Sequence, residues 1–125
     1  MVRAALEQIA YATRAALERV ERLSVRTAVT VAVGGGLTRT MTYTSILADV
    51  LGRELLMSPE SNVSARGAFV CAATALGWYP SLADGAEAAA AFMRPISPHP
   101  EAALEYEDLY HRWLQIHDQL DDIGL

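Results

Sequence analysis

The sequence has few of the features that mark secreted, membrane-spanning and nucleic-acid-binding proteins. A single cysteine, Cys71, excludes an internal disulfide, and its apolar neighbours predict a small buried side chain rather than a nucleophile. No apolar run approaches the length of a membrane span, and the amino terminus has no signal peptide. Basic residues number 10 against 15 acidic ones, a net charge of -5, whereas nucleic-acid binding needs a concentrated basic face. We therefore expect a cytoplasmic protein without membrane or nucleic-acid partners.

The apolar residues that are present follow the periods of a small α/β protein. With 125 residues, 52% of them hydrophobic, the chain fits one folded domain. Spacings of three and four predict five helices, and two short runs of β-branched or apolar residues predict strands. In chain order we expect a helix from residue 1 through 20, a strand at 27–33, a helix at 40–51, a strand at 54–57, and helices at 63–76, 82–93 and 102–120. Residues 94–100 contain three prolines and are predicted to form a stiff connector.

The buried faces and the ends of these helices follow from the same spacings. We expect the first helix to bury Leu6, Ile9, Ala10, Thr13, Ala16, Leu17 and Val20, the second Tyr43, Ile46, Leu47, Val50 and Leu51, and the last Tyr106, Leu109, Tyr110, Trp113, Ile116 and Leu120. Thr38 is expected to cap the second helix and Gly52 to end it. Asn62 is expected to cap the third helix, whose small residues Gly67, Ala68, Ala72 and Ala73 permit close packing.

The two strands pose a structural problem if they are taken alone. The run 27–33 is almost continuously apolar or β-branched, which is typical of a strand buried on both faces in a parallel sheet. A two-stranded sheet gives such a strand too few neighbours. The first helix also begins without a visible cap. From both features we expect the chain to be a piece of a longer protein.

The glycine run 34–36 lies between the first strand and the second helix. Three glycines leave the backbone free to adopt positive φ and remove every Cβ from the loop. The next helix then presents unpaired N–H groups and the positive end of its dipole to the loop. A loop of this kind lets a nucleotide's phosphates or ribose lie against the main chain. A purely structural turn explains the same pattern, and the local sequence leaves both interpretations open.

Several motifs resemble the C-terminal part of the second domain of the FGGY family of carbohydrate kinases. They are residues 2–11, 35–40 (GGLTRT), 46–53 (ILADVLGR), 64–68, 77–82 and 106–110, in the family's order. The resemblance implies an α/β fold, a helix-rich fragment of an actin/hexokinase/Hsp70-like (ribonuclease H-like) domain with the order α-β-α-β-α followed by two helices. Residues 1–125 then form a partial C-terminal domain, with a nucleotide-side α/β segment at 1–93 and a linker and C-terminal helix at 94–125.

The resemblance also implies a function and a set of site residues. The complete enzyme transfers phosphate from ATP, with Mg²⁺, to a sugar or polyol hydroxyl. Gly35 and Gly36 match positions at the ribose and α-phosphate, and Leu37 and Thr40 match positions on the adenine side. Arg39 is either an exposed arginine at a helix start or a phosphate ligand. No catalytic residue falls in this chain, because the family's general base and the Mg²⁺ ligands are expected outside it.

The remaining acidic and imidazole groups do not form a recognisable catalytic or metal set. Asp49 has no partner acid at a useful spacing, so we expect it to be solvated or to lie behind the site. His99, His111 and His117 lack metal-ligand spacing and are expected on the surface. The isolated chain is therefore expected to have no kinase activity, its partner being the rest of the kinase. The alternative is a non-catalytic truncated α/β module that self-associates as a homo-oligomer through an unpaired strand edge.

Overall fold

A computed structural model describes residues 2–25, 27–59 and 62–122, with the side chains of 118 and 120–122 omitted. The described residues form five α-helices, three strands and one short 3₁₀ turn. In chain order these are α1 (Val2–Ser24), β1 (Thr30–Val33), the 3₁₀ turn (Leu37–Arg39), α2 (Met41–Leu51), β2 (Glu54–Met57), α3 (Val63–Ala75), α4 (Leu82–Ala90), β3 (Arg94–Ile96) and α5 (Pro100–Asp122). All five predicted helices and both predicted strands are present.

The sheet has the order β1-β2-β3. The pair β1–β2 is parallel, with Thr30 opposite Glu54 and Val33 opposite Met57, which confirms the predicted parallel arrangement. The pair β2–β3 is antiparallel. Sequence reasoning missed β3 because it lies inside the proline-rich segment that was expected to be a connector. Pro95 is tolerated there because β3 is an edge strand, where a missing N–H need not break the ladder.

The core lies between one face of the sheet and the helices α1, α2 and α5. Its buried members are Ala10, Tyr11, Tyr43, Ile46, Leu47, Ala48, Val50, Leu51, Leu55, Tyr106 and Tyr110, with Val31, Val33 and Ile96 of the sheet packed against them. The predicted inward face of α2 is confirmed in full. α2 is central because it contacts α1, α5 and the strands β2 and β3. α3 and α4 pack mainly against each other.

The predicted stripe of α1 is only partly correct. Ala10 is buried and Leu6 and Leu17 pack against the core, but Ile9 is 42% and Val20 60% exposed. The buried face of α1 is instead centred on Ala10 and Tyr11, since the Tyr11 ring packs among the aromatic rings of α5. On α5 itself, Tyr106 and Tyr110 are buried as predicted, whereas Leu109 and Ile116 are exposed.

The first strand was predicted to be buried on both faces, and this prediction is wrong. β1 starts at Thr30, and its side chains alternate between exposed Thr30 and Ala32 and half-buried Val31 and Val33. Val29, just before it, is 86% exposed. The cause is that helices cover only one face of the sheet and that β2 is the only strand paired with β1 in the described part of the chain. β1 is therefore an edge strand here.

The expected small-residue packing of α3 is also wrong in most positions. Gly67, Ala68 and Ala72 are exposed, and Ala73 alone of that set is buried. Cys71 is exposed rather than buried. These residues are exposed because no element packs closely over them in the described part of the chain.

The helix ends follow local signals closely, with three corrections. Gly52 ends α2 in the left-handed conformation, φ 59°, and the Asn62 Oδ1 accepts the Ala65 N–H at 3.0 Å at the start of α3, both as predicted. α4 ends at Ala90 rather than residue 93, because the chain turns there to enter β3. α5 begins at Pro100, since proline fits the first position of a helix. Thr38 does not cap α2, which begins after Thr40.

Candidate functional site

The glycine loop lies at the carboxyl end of the parallel strand pair β1–β2. Ligands of open α/β sheets commonly bind outside this end of the strands. The loop leaves β1 at Val33, and the chain leaving β2 stays beside it because the Ser58 N–H donates to the Val33 carbonyl at 2.9 Å. The amino-terminal end of α3, starting at Val63, lies against the same loop. The sheet therefore brings two segments distant in sequence to one place.

The three glycines of the loop have three different environments. A Cβ on Gly34 would lie 2.5 Å from the Val63 Cγ1, so Gly34 is where the loop packs tightly against α3. Gly35 has φ +114°, a conformation that side-chain-bearing residues rarely adopt. Gly36 is in the ordinary right-handed helical region. Apart from the glycine itself and its two chain neighbours, no described residue has an atom within 4 Å of a Cβ built on Gly35 or Gly36. Bare backbone at these two residues faces open space.

Thr38 stabilises the loop from inside. It is only 8% exposed, and its Oγ1 donates a hydrogen bond to the Gly35 carbonyl at 2.9 Å. This contact explains why Thr38 is not the cap of α2. The cap position is held by Thr40, whose backbone carbonyl accepts the N–H groups of Tyr43 and Thr44 and whose side chain makes no capping bond.

The other predicted site residues lie on the outer side of the loop. Leu37 is 41% exposed, and Arg39 and Thr40 are exposed as well. Arg39 forms no ion pair with an acid among the residues that the structure describes. Half-buried Gly35 and exposed Gly36, Leu37, Arg39 and Thr40 thus lie along one loop, in which the glycines offer backbone and Arg39 a positive charge.

An apolar groove runs away from the loop along α3. Its first part, about 230 Å³, is lined by Ala32, Val33, Gly34, Ser58, Val63 and Met93. It continues into a second part of about 440 Å³ between α3 and α4, which shares Ser58, Val63 and Met93 and adds Arg66, Gly67, Val70, Cys71, Leu82, Ala86 and Ala89. Sequence reasoning missed the groove. The place of Ser58 beside the loop was predictable, because residues that follow two parallel strands meet at one edge of the sheet. No local sequence pattern indicates that Met93 lines the groove.

Asp49 lies on α2, the helix behind the loop. The expectation that it is solvated is wrong. It is 7% exposed, and its Oδ1 accepts the His99 backbone N–H at 2.7 Å. The His99 ring is exposed, as predicted, with Nδ1 at 3.1 Å from the same oxygen. His99 immediately precedes α5, so the Asp49 carboxylate satisfies an amide at the start of that helix. Asp49 is a structural link between α2 and α5.

A polar network joins α1 to α5 on the core side of the molecule. Arg14 forms ion pairs with Glu18 at 2.9 Å and with Glu107 at 2.8 Å, and donates to the Val50 carbonyl at 2.9 Å. The hydrogen bond from Arg14 holds the pKa of Glu107 below its ordinary value. Arg14 also lies over the Tyr110 ring, with its guanidinium carbon 4.0 Å from the ring centroid. This network fixes the helices that support α2.

Two tyrosine hydroxyls in the same interface are held neutral. Burial and a hydrogen bond to Glu7 raise the pKa of Tyr106 to about 12. Burial and a hydrogen bond to Glu18 do the same for Tyr110, whose pKa is also about 12. In both cases the phenol donates to a carboxylate, so loss of its proton would set two negative charges against each other.

The histidines and acids of the described residues do not come together as a metal site. His111 lies on the surface of α5, with its Nε2 3.0 Å from Glu107, and His117 stacks on Trp113 at 4.8 Å between ring centroids. Within residues 2–25, 27–59 and 62–122, no three His, Cys, Asp or Glu side chains are close enough to hold a metal ion. In the same ranges, none of the helices combines the length and the apolar character that a bilayer crossing requires.

Comparison with known protein families identifies the chain. The model of the FGGY family of carbohydrate kinases, C-terminal domain, matches residues 1–76, which include the whole glycine loop and α2. The chain belongs to the FGGY family of carbohydrate kinases. The expected resemblance is therefore confirmed.

Individual FGGY relatives match over most of this chain but over little of their own length. Glycerol kinase 1 of Thermotoga maritima is 38% identical over 84 residues, 67% of this chain and 17% of that protein. A ribulokinase of Staphylococcus epidermidis is 29% identical over 122 residues, 94% of this chain and 22% of that protein. The chain thus spans about a fifth of the length of these curated relatives.

Solved structures show the same fold. The xylulose kinase from Rhodospirillum rubrum superposes with a TM-score of 0.63 at 28% identity, covering 94% of this chain and 24% of that one. The xylulose kinase from Lactobacillus acidophilus superposes with a TM-score of 0.65 at 19% identity, covering 77% of this chain and 19% of that one, and supports the fold alone. The helix-rich α/β arrangement with a small sheet is therefore that of part of an FGGY kinase.

Proposed function

We propose that this chain supplies part of the adenosine pocket of an ATP-dependent carbohydrate kinase. The observation that supports the proposal most directly is the open space beside the bare backbone of Gly35 and Gly36, at the carboxyl ends of two parallel strands. The ribose and α-phosphate lie against these two residues. Membership of the FGGY family supports this interpretation over a purely structural turn.

The residues around the glycines divide the pocket between base and phosphates. Leu37 and Thr40 form the adenine side, and their exposure leaves them available for contact. Arg39 contributes a positive charge that no described acid neutralises, which favours a phosphate ligand over an idle surface arginine. In the proposed assembly, residues 1–93 are the nucleotide-side segment of an actin/hexokinase/Hsp70-like lobe, and residues 94–125 close it through α5.

The reaction of the complete enzyme needs groups that this chain does not supply. A substrate hydroxyl oxygen bonds to the γ-phosphorus of ATP while the bond from that phosphorus to the β–γ bridging oxygen breaks, and a general base takes the hydroxyl proton. Asp49 is occupied by His99, and the described residues offer no acid cluster for Mg²⁺. The sugar or polyol, the Mg²⁺ ligands and the base are assigned to other parts of the enzyme. The chain alone therefore binds nucleotide without turning it over.

Calorimetric titration of the purified chain with ADP tests this proposal. We expect binding by the wild type and at least about tenfold weaker binding by Gly36→Val, because the new side chain fills the space where backbone meets ligand. Ala5→Val is the control, since it places the same final side chain at an exposed helical position of α1. Absence of binding by the wild type, or equal affinity of Gly36→Val, would contradict the proposal.

A second candidate function rests on the open edge of β1. β1 is uncharged, lacks proline and pairs only with β2 in the described part of the chain, which makes its outer edge a template for another strand. A non-catalytic module that self-associates through this edge fits that feature. Sedimentation velocity on the samples used for titration distinguishes the two candidate functions. Dimers without ADP binding favour the module, whereas ADP binding by a monomer favours the nucleotide pocket.

A further inference from the structure

We propose that Thr38 is a positioning residue, which holds the Gly35–Gly36 peptide so that the Gly36 N–H faces the ligand side. This inference rests on the proposed nucleotide function and adds a residue that acts through the backbone rather than by contact. Thr38 is 8% exposed although its neighbours Leu37 and Arg39 are exposed, so its side chain turns into the loop rather than toward solvent.

The orientation of the peptide follows from one hydrogen bond. The Thr38 Oγ1 donates to the Gly35 carbonyl at 2.9 Å, which turns that carbonyl toward the inside of the loop. The described residues contain no cis peptide bond, and in a trans peptide the C=O and N–H point to opposite sides. The Gly36 N–H therefore points outward. It has no hydrogen-bond partner in the described part of the chain.

Glycine makes this positioning necessary. Gly35 has φ +114°, and neither Gly35 nor Gly36 has a side chain to restrict the peptide between them. Without the Thr38 hydroxyl, the entropic cost of ordering this peptide is added to the free energy of ligand binding. The free energy of one intramolecular hydrogen bond corresponds to an affinity loss of about three- to tenfold.

Three substitutions separate positioning from general stability. Thr38→Val keeps the shape of the side chain but removes the donor, and we expect it to weaken ADP binding by about three- to tenfold. Thr38→Ser keeps the hydroxyl and is expected to restore most of that affinity. Thr44→Val is the matched control, because Thr44 is also buried and its hydroxyl donates to the Met41 carbonyl at 3.0 Å, inside α2 and away from the glycines. It is expected to leave ADP affinity unchanged.

A second readout does not depend on nucleotide. The ¹⁵N heteronuclear NOE of the Gly36 amide is expected to fall in Thr38→Val, recover in Thr38→Ser and stay unchanged in Thr44→Val. If the wild type fails to bind ADP, the nucleotide proposal fails, and the role of Thr38 in ordering the loop is decided by the NOE alone. Wild-type order at Gly36 in Thr38→Val, or a Thr38→Ser variant that behaves like Thr38→Val, would overturn the inference.

Discussion

Replacing Gly34 by alanine is expected to destabilise the fold through one specific contact. The new Cβ would lie 2.5 Å from the Val63 Cγ1, and 3.4 Å from the Ser58 Cβ. Two carbon atoms pack best at about 3.5–4.0 Å, so roughly 1 Å must be recovered by movement of the loop or of α3. Val63 is β-branched and therefore stiff at χ1, and it is the first residue of α3. Overpacking of this kind costs about 1–3 kcal/mol of unfolding free energy.

The neighbouring glycines provide matched controls for this prediction. Gly36→Ala is expected to be neutral or stabilising by up to about 1 kcal/mol, because its backbone is helical and the space around it is open. Gly35→Ala is expected to cost about 1–3 kcal/mol through backbone strain at φ +114° rather than through a clash. The same change of residue type should thus give three different results at three consecutive positions.

Urea unfolding followed by circular dichroism measures all three free energies, and a double mutant identifies the cause. Val63→Ala removes the Cγ1 atom in the clash, so the double mutant Gly34→Ala/Val63→Ala should be more stable than the sum of the two single changes implies. Gly35→Ala has no such partner and should combine additively with Val63→Ala. A Gly34→Ala variant as stable as the wild type, or one that Val63→Ala fails to rescue, would refute this account of the loop.

Two further predictions concern the helices that support the loop. Asp49→Ala should cost about 1–2 kcal/mol in urea unfolding, because the His99 amide at the start of α5 loses its acceptor, whereas Asp49→Asn keeps an oxygen there and should cost less. The pKa values of Tyr106 and Tyr110 are raised to about 12, so their contribution to stability is complete below pH 10 and is lost as the pH rises through 12. Ultraviolet titration should therefore show at least two tyrosines ionising late, and ionisation of every tyrosine near pH 10 would contradict this.

The parts of the fold that were predicted correctly depend on local signals. α2 buries one face against the core, so the five residues that its spacing predicted to face inward are all buried, although Thr44, Ala48 and Asp49 are buried as well. Gly52 and Asn62 mark helix ends through their own backbone and side-chain chemistry, which does not depend on distant residues. The family resemblance also came from short motifs such as residues 35–40.

The parts that were missed depend on contacts with distant residues. β3 is a three-residue strand with a proline, and it forms only because β2 offers a free edge. The buried face of α1 is set by the aromatic rings of α5, which lie far away in sequence. Cys71 has apolar neighbours in the sequence, but exposure is decided by what covers α3, and its chain neighbours do not report that.

The glycine loop shows the same division within three residues. Its position after a strand and before a helix was predictable, but the separate tasks of its glycines were not. Gly34 must lack a side chain because a Cβ there would collide with Val63, whereas no neighbour of Gly36 excludes a Cβ. The loop therefore contains one glycine that packing requires, Gly34, and one that packing does not require, Gly36. The glycine without a structural reason is the better indicator of a ligand.

This distinction sharpens the choice between a nucleotide pocket and a structural turn. A turn needs a glycine at positive φ and a glycine at the close approach, and Gly35 and Gly34 meet those needs completely. Folding alone would accept alanine at Gly36. If Gly36→Ala preserves stability while the bulkier Gly36→Val abolishes ADP binding, the third glycine is explained by the ligand. If Gly36→Val binds ADP normally, the nucleotide does not explain the third glycine, and the open edge of β1 becomes the feature of the described residues that most needs a partner.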